Sequence, residues 1–129
     1  MKQNKILIVD DEEEVLLLLE KKLITVGYKI LKASNGQDAL LMAKTQQPDL
    51  ILLDIMMPNM DGPDMVTALK NDKRATNIPV VFMSGIVTKE DEKNVHGGIK
   101  VGGYNYKVIA KPFNFAELLR EIEKIVPKM

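Results

Sequence analysis

Leu50-Ile51-Leu52-Leu53-Asp54-Ile55-Met56-Met57-Pro58-Asn59-Met60-Asp61-Gly62 decides the fold. Four consecutive aliphatic residues run into a carboxylate, and Pro58 and Gly62 then turn the chain away. A short continuous apolar run bounded by turn signals reads as a strand buried on both faces, the habit of a parallel sheet. The strand is predicted over Asp49 to Leu53, which sets Asp54 at its carboxyl end. Open α/β sheets place their ligand crevices outside those ends.

Similar runs recur on either side. Lys5 to Val9 is a first buried strand that ends in Asp10-Asp11, and Glu12 to Glu14 then open a helix, where the dipole favours negative charge. Val15, Leu16, Leu18, Leu19, Leu23 and Val26 follow at helical spacing up to Gly27, a left-handed stop. Tyr28 to Ala33 is the second strand, and Ser34-Asn35 offers an N-cap for a helix to about Gln46. After the Asp54 loop, Gly62-Pro63 starts a third helix bearing Met65, Val66 and Leu69. Ile78 to Met83 is a fourth strand closed by Ser84-Gly85, and a polar fourth helix is expected from Thr88 to about His96. Gly97 to Gly103 contains four glycines and reads as a loop. Tyr106 to Ala110 is the fifth strand, closed by Lys111-Pro112, and Asn114 with Glu117 opens a last amphipathic helix.

Five strands alternating with five helices predict a three-layer, doubly wound (βα)5 sandwich of the flavodoxin-like kind, its parallel sheet ordered 2-1-3-4-5. At 129 residues the chain is expected to be one domain spanning 1–129, with a core over about 5–126. Apolar residues make up 46% and charged residues 28%, a balance that excludes disorder. Eighteen basic and eighteen acidic side chains cancel, which argues against nucleic acid or an anionic membrane as the main partner. The chain has no cysteine, so disulfides and thiolate metal sites are excluded. No apolar run approaches the roughly 20 residues that span a bilayer, and the acidic Asp10 to Glu14 excludes a signal peptide. The cytoplasm is the expected location.

In this topology the strand ends bring together Asp10, Asp11 and Asp54, with Ser84 and Lys111 alongside. Crowded carboxylates need neutralising, and a hard divalent cation with oxygen ligands, Mg²⁺, suits them. Cation, ammonium and hydroxyl together are what a transferred phosphoryl group requires, and a carboxylate among them can form an aspartyl phosphate. The bland readings win elsewhere: Glu12 to Glu14 as dipole compensation, His96 as a surface residue, and Met56, Met57 and Met60 as packing.

Ile-Leu-Ile-Val-Asp10-Asp11, Leu-Leu-Asp54-Ile-Met-Met-Pro58-Asn-Met-Asp-Gly62, Met-Ser84-Gly85 and Lys111-Pro112-Phe113 stand in order, each at a strand end. Together they resemble the receiver domain of two-component response regulators, from about Lys5 to Val126. The resemblance implies that Asp54 accepts the phosphoryl group and that Asp11 binds Mg²⁺ directly, with Asp10 binding largely through water. It implies the Met56 backbone carbonyl as a further metal ligand beside Asp54, Lys111 as the partner of a phosphoryl oxygen, and Ser84 as a switch hydroxyl that Gly85 leaves accessible. The implied partners are a sensor histidine kinase or histidine phosphotransfer protein and a downstream protein or output domain. Pairing of two phosphorylated copies through the fourth and fifth helices and the fifth strand is also implied.

The chain departs from the pattern at three places. The usual aromatic switch position is Val108, with Tyr106 two residues earlier. The interval from Ser84 to Lys111 is longer than usual, with the excess in 97–103. The two positions that tune phosphoryl lifetime are Met56 and Ile86, both apolar, so self-dephosphorylation is expected to be slow. Only Pro127-Lys128-Met129 follow Val126, leaving a stand-alone receiver and a piece of a longer regulator or hybrid kinase as alternatives. Two other functions compete with a switch that catalyses only its own phosphorylation and dephosphorylation. One is a Mg²⁺-dependent hydrolase of the haloacid dehalogenase type, which would need Asp-x-Asp after the first strand. The other is a degenerate receiver used only to bind protein.

Overall fold

The computed structural model describes residues 4–57, 60–85, 99–111 and 113–127. Strand β1 (Lys5–Val9) is followed by α1 (Glu13–Thr25), β2 (Lys29–Ala33), α2 (Gly36–Gln46), β3 (Leu50–Asp54), α3 (Gly62–Lys70) and β4 (Val80–Ser84). Three short strands, β5 (Ile99–Val101), β6 (Tyr104–Tyr106) and β7 (Val108–Ala110), precede α4 (Phe115–Ile125). Five strands form one parallel sheet in the order β2-β1-β3-β4-β7. That is the expected doubly wound order, with β7 as its fifth member. The helix expected over Thr88 to His96 lies outside the described residues.

The central strands alternate their side chains between two cores, as the pleat requires. Leu7, Val9, Ile51, Leu53 and Phe82 face α2 and α3. Ile6, Ile8, Leu50, Leu52 and Met83 face α1 and α4. All of these are fully buried, and each such side chain is worth about 1.5–3 kcal/mol relative to exposure. The strand that carries Asp54 is therefore held on both faces up to its last residue.

Local chemistry sets the helix starts. Asn35 accepts the Asp38 amide to cap α2, Asp61 accepts the Asp64 amide to cap α3 with Pro63 inside its first turn, and Asn114 accepts the amides of Ala116 and Glu117 to cap α4. Glu12 at the N-cap of α1 makes no side-chain cap; its amide donates instead to Asp10 Oδ1 at 2.9 Å.

One expectation is corrected. Of the segment Gly97 to Gly103, residues 99–103 are described and are not simply a loop, and Tyr106 does not begin the fifth parallel strand. Ile99 to Val101 pairs antiparallel with Tyr104 to Tyr106, Lys100 opposite Asn105. Gly102 (φ 57°) and Gly103 (φ 83°) supply the two left-handed positions of a tight two-residue turn. Tyr106 is buried edge-to-face against Phe82, with ring centroids 5.6 Å apart. The Lys70 ammonium lies 5.2 Å from the Tyr104 ring and 6.0 Å from that of Tyr106, so α3 pins the hairpin.

Candidate functional site

The strand ends bring the expected side chains together. Val9 pairs with Leu53, Asp54 with Met83 and Ser84 with Ala110, which sets Asp10, Asp54, Ser84 and Lys111 along one edge of the sheet. Asp10, Asp54 and Ser84 are the buried polar residues among those described. Three polar side chains concentrated at one edge of an otherwise apolar sheet mark a site rather than a core.

Lys111 is its centre. The Nζ is paired with Asp10 Oδ2 and stands 3.5 Å from Asp54 Oδ2. Its backbone N–H donates to the Ser84 carbonyl at 2.7 Å, which fixes where the side chain starts. Asp54 Oδ1 accepts the Met56 amide at 3.2 Å, so the first turn of the following loop is folded back onto the carboxylate.

Burial raises the Asp54 carboxyl above the ordinary carboxylate range and the neighbouring Asp10 charge adds to it; Lys111 and the Met56 amide offset only part of this. Burial alone would lower the Lys111 ammonium, but its pairing with Asp10 and Asp54 outweighs that, and its net displacement is upward. The lysine is therefore a fixed positive charge at neutral pH.

One carboxylate oxygen from each of Asp10, Asp11 and Glu12 lies within 4.8 Å of the other two. Asp54 stands across Lys111 and is not a member of that trio. Asp10 is fully buried and Asp11 and Glu12 are exposed. The donors are hard oxygens with no nitrogen or sulfur among them, which fits a Mg²⁺-type cation that retains water. The sequence presents Glu12 only as dipole compensation. Its amide donates to the Asp10 side chain directly before α1, and its carboxylate stands with those of Asp10 and Asp11. The signal available was its place directly after two aspartates.

Met56 is exposed at the edge of the site, so its side chain is not the packing expected, whereas Met57 is buried and Met60 partly so. A Cβ added at Gly85 would make only an ordinary 3.8 Å contact with Lys111 Cδ. A glycine there is not sterically required in this conformation. Val108 is half-buried beside the α2–α3 core, and Tyr106, on the hairpin, supplies the aromatic ring in that region.

Comparison with known proteins agrees with this geometry. The profile described as response regulator receiver domain matches residues 6–123. The protein PilH of Pseudomonas aeruginosa is 33% identical over 122 residues, covering 95% of this chain and 97% of PilH. The phosphate regulon transcriptional regulatory protein PhoB of Pseudomonas aeruginosa is 36% identical over 121 residues, covering 94% of this chain and 51% of PhoB. A probable transcriptional regulator, ycf27, of Pyropia yezoensis is 32% identical, covering 96% of this chain and 48% of that protein. The chain thus spans about half the length of several curated relatives it matches. Among solved structures, chemotaxis protein CheY4 of Vibrio cholerae superposes with a TM-score of 0.81 at 24% identity, over 97% of this chain and all of that one; at that identity the likeness speaks for the fold. Topology, strand-end residues and profile converge, and the chain belongs to the response regulator receiver domain family.

Proposed function

We propose that the chain is a cytoplasmic signalling switch that accepts a phosphoryl group on Asp54 from a phosphohistidine of a histidine kinase or phosphotransfer protein. The observation that carries this is the buried Asp54 carboxylate, held between the Lys111 ammonium at 3.5 Å and the Met56 amide at 3.2 Å. One oxygen of Asp54 attacks phosphorus; the new P–O bond forms as the P–N bond to the donor imidazole breaks, and that nitrogen leaves with its electron pair. Lys111 offers its charge to the oxygens that carry the transferred charge, and Ser84, at the neighbouring strand end, offers a hydroxyl. Asp11, Asp10 and Asp54 would hold Mg²⁺ with the Met56 carbonyl, and Glu12 adds negative charge beside them. When bound, the cation supplies neutralisation of the phosphoryl and carboxylate charges.

The product is a phosphorylated state rather than a released metabolite, and its readers are a downstream protein or an output domain. Pairing of two phosphorylated copies is one form such reading takes. The test is incubation of the purified chain with acetyl phosphate and Mg²⁺, followed by intact mass. Gain of one phosphoryl group is expected, and it is absent when a chelator replaces Mg²⁺ in the incubation and in Asp54→Asn. Persistence of the label in Asp54→Asn would refute the assignment, and continuous release of phosphate from an ester substrate would favour a hydrolase.

A further inference from the structure

The loop that follows Asp54 is shaped by a glycine from another element. Gly36 is buried as the first residue of α2. A Cβ built there would lie 2.7 Å from Met60 Sδ, 2.9 Å from Met60 Cβ and 3.0 Å from Met60 Cγ. Carbon contacts under 3 Å do not occur in folded proteins, and rotating the methionine side chain cannot clear its own Cβ, which moves only with the backbone. Met60 is thus seated on Gly36 by main-chain position, not by a choice of rotamer.

The same loop is closed at its two ends. The Ile55 amide donates to the Met83 carbonyl at 2.9 Å, and the Gly62 amide donates to the Ile55 carbonyl at 2.9 Å. Gly62 also lies so close to the Phe82 ring that a Cβ there would stand 2.8 Å from Cε1. Between these pinned ends Met56 gives its amide to Asp54, and Met60 meets α2 at Gly36.

We propose that the Gly36–Met60 contact is a positioning device for the phosphoacceptor loop, setting where the Met56 amide and carbonyl stand relative to Asp54. This rests on the proposed phosphoryl-transfer function. Gly36 touches no reacting atom and acts only through Met60. Any side chain at position 36 displaces Met60 and, through the chain that joins the two, shifts the Met56 main chain, weakening both cation binding and transfer.

The test compares wild type, Gly36→Ala, Met60→Gly and the double variant. Alanine is the better helix former, so helix propensity favours Gly36→Ala and does not predict unfolding. The readouts are Mg²⁺ affinity by calorimetry on the unphosphorylated chain, the rate of mass gain from acetyl phosphate at saturating Mg²⁺, and the melting temperature. Gly36→Ala is expected to weaken Mg²⁺ binding and to slow transfer, each by about ten-fold, since small misplacements of reacting groups carry costs of that order or larger. Its melting temperature should change little. The double variant is expected to match Met60→Gly alone, because glycine at position 60 removes the Cβ as well as the rest of the side chain and the clash is gone. Wild-type behaviour of Gly36→Ala overturns the proposal, and so does a double variant as impaired as Gly36→Ala. If Gly36→Ala fails to fold, the double variant must fold; if it does not, the proposal falls. A wild-type chain that gains no phosphoryl group overturns the proposed function and this device with it, whereas a competent wild type with an indifferent Gly36→Ala overturns the device alone.

Discussion

At the residue scale, Asp54 is held in a conflict. Burial and Asp10 push its carboxyl group toward the neutral form, and Lys111 and the Met56 amide resist. An acid whose folded pKa lies above its unfolded one stabilises the fold fully only below the unfolded value, and that contribution is lost as pH rises through the folded value. At neutral pH the charged Asp54 therefore weakens the fold, a cost set by the site rather than by packing. Asp54→Asn in chelator-containing buffer at pH 7 is expected to raise the melting temperature by about 3 °C, with the advantage shrinking as pH falls toward 4; a lower melting temperature would contradict this. Asp10, Asp54, Ser84 and Lys111 were legible in the sequence because each directly follows an apolar run, and strand ends in a parallel sheet converge. Glu12 was not, because a run of three glutamates reads equally well as the first turn of a helix. Only the approach of the Asp10, Asp11 and Glu12 carboxylates to within 4.8 Å of one another separates the two roles.

At the scale of elements, strand order was readable and the Gly-rich segment was not. Ile99-Lys100-Val101 and Tyr104-Asn105-Tyr106 are too short for periodicity to register, and the glycine density around them reads as loop. The available signal was Gly102-Gly103 between two β-prone triplets, the pairing that a two-residue hairpin demands. The hairpin stands as a two-stranded sheet of its own, so its stability comes from Tyr106 against Phe82 and from Lys70 over the tyrosine rings. Gly103 at φ 83° is intolerant of a branched side chain. Gly103→Val is expected to cost about 1–2 kcal/mol in urea denaturation, whereas Gly102→Asn should be nearly neutral; equal costs at both positions would speak against the turn.

At the scale of the molecule, the two ends of the described chain are tied together. The Tyr28 hydroxyl donates to the Val126 carbonyl at 2.6 Å, and Asn4 Nδ2 donates to the Pro127 carbonyl at 2.8 Å. Burial raises the Tyr28 hydroxyl above the usual phenol value, with Glu123 adding to it. Its stabilisation is complete below the unfolded value near 10 and disappears as pH rises through the folded one. Tyr28→Phe should cost about 1 kcal/mol at pH 7 and should flatten the alkaline fall in stability, which pH-dependent urea titrations would show. Among the described residues no helix is long and apolar enough to cross a membrane. The phosphorylated state should be long-lived, because Met56 and Ile86 carry no group able to orient an attacking water; loss of the label within seconds in Mg²⁺ would contradict this. The central claim, that Asp54 is the acceptor, is tested most directly by borohydride trapping. The chain is treated with acetyl phosphate and Mg²⁺, reduced, digested and sequenced by mass spectrometry. An acyl phosphate on residue 54 is converted to homoserine at that position, in the Mg²⁺ sample and not in the chelated one. An unaltered Asp54, or reduction at Asp10 or Asp11 instead, would contradict the account.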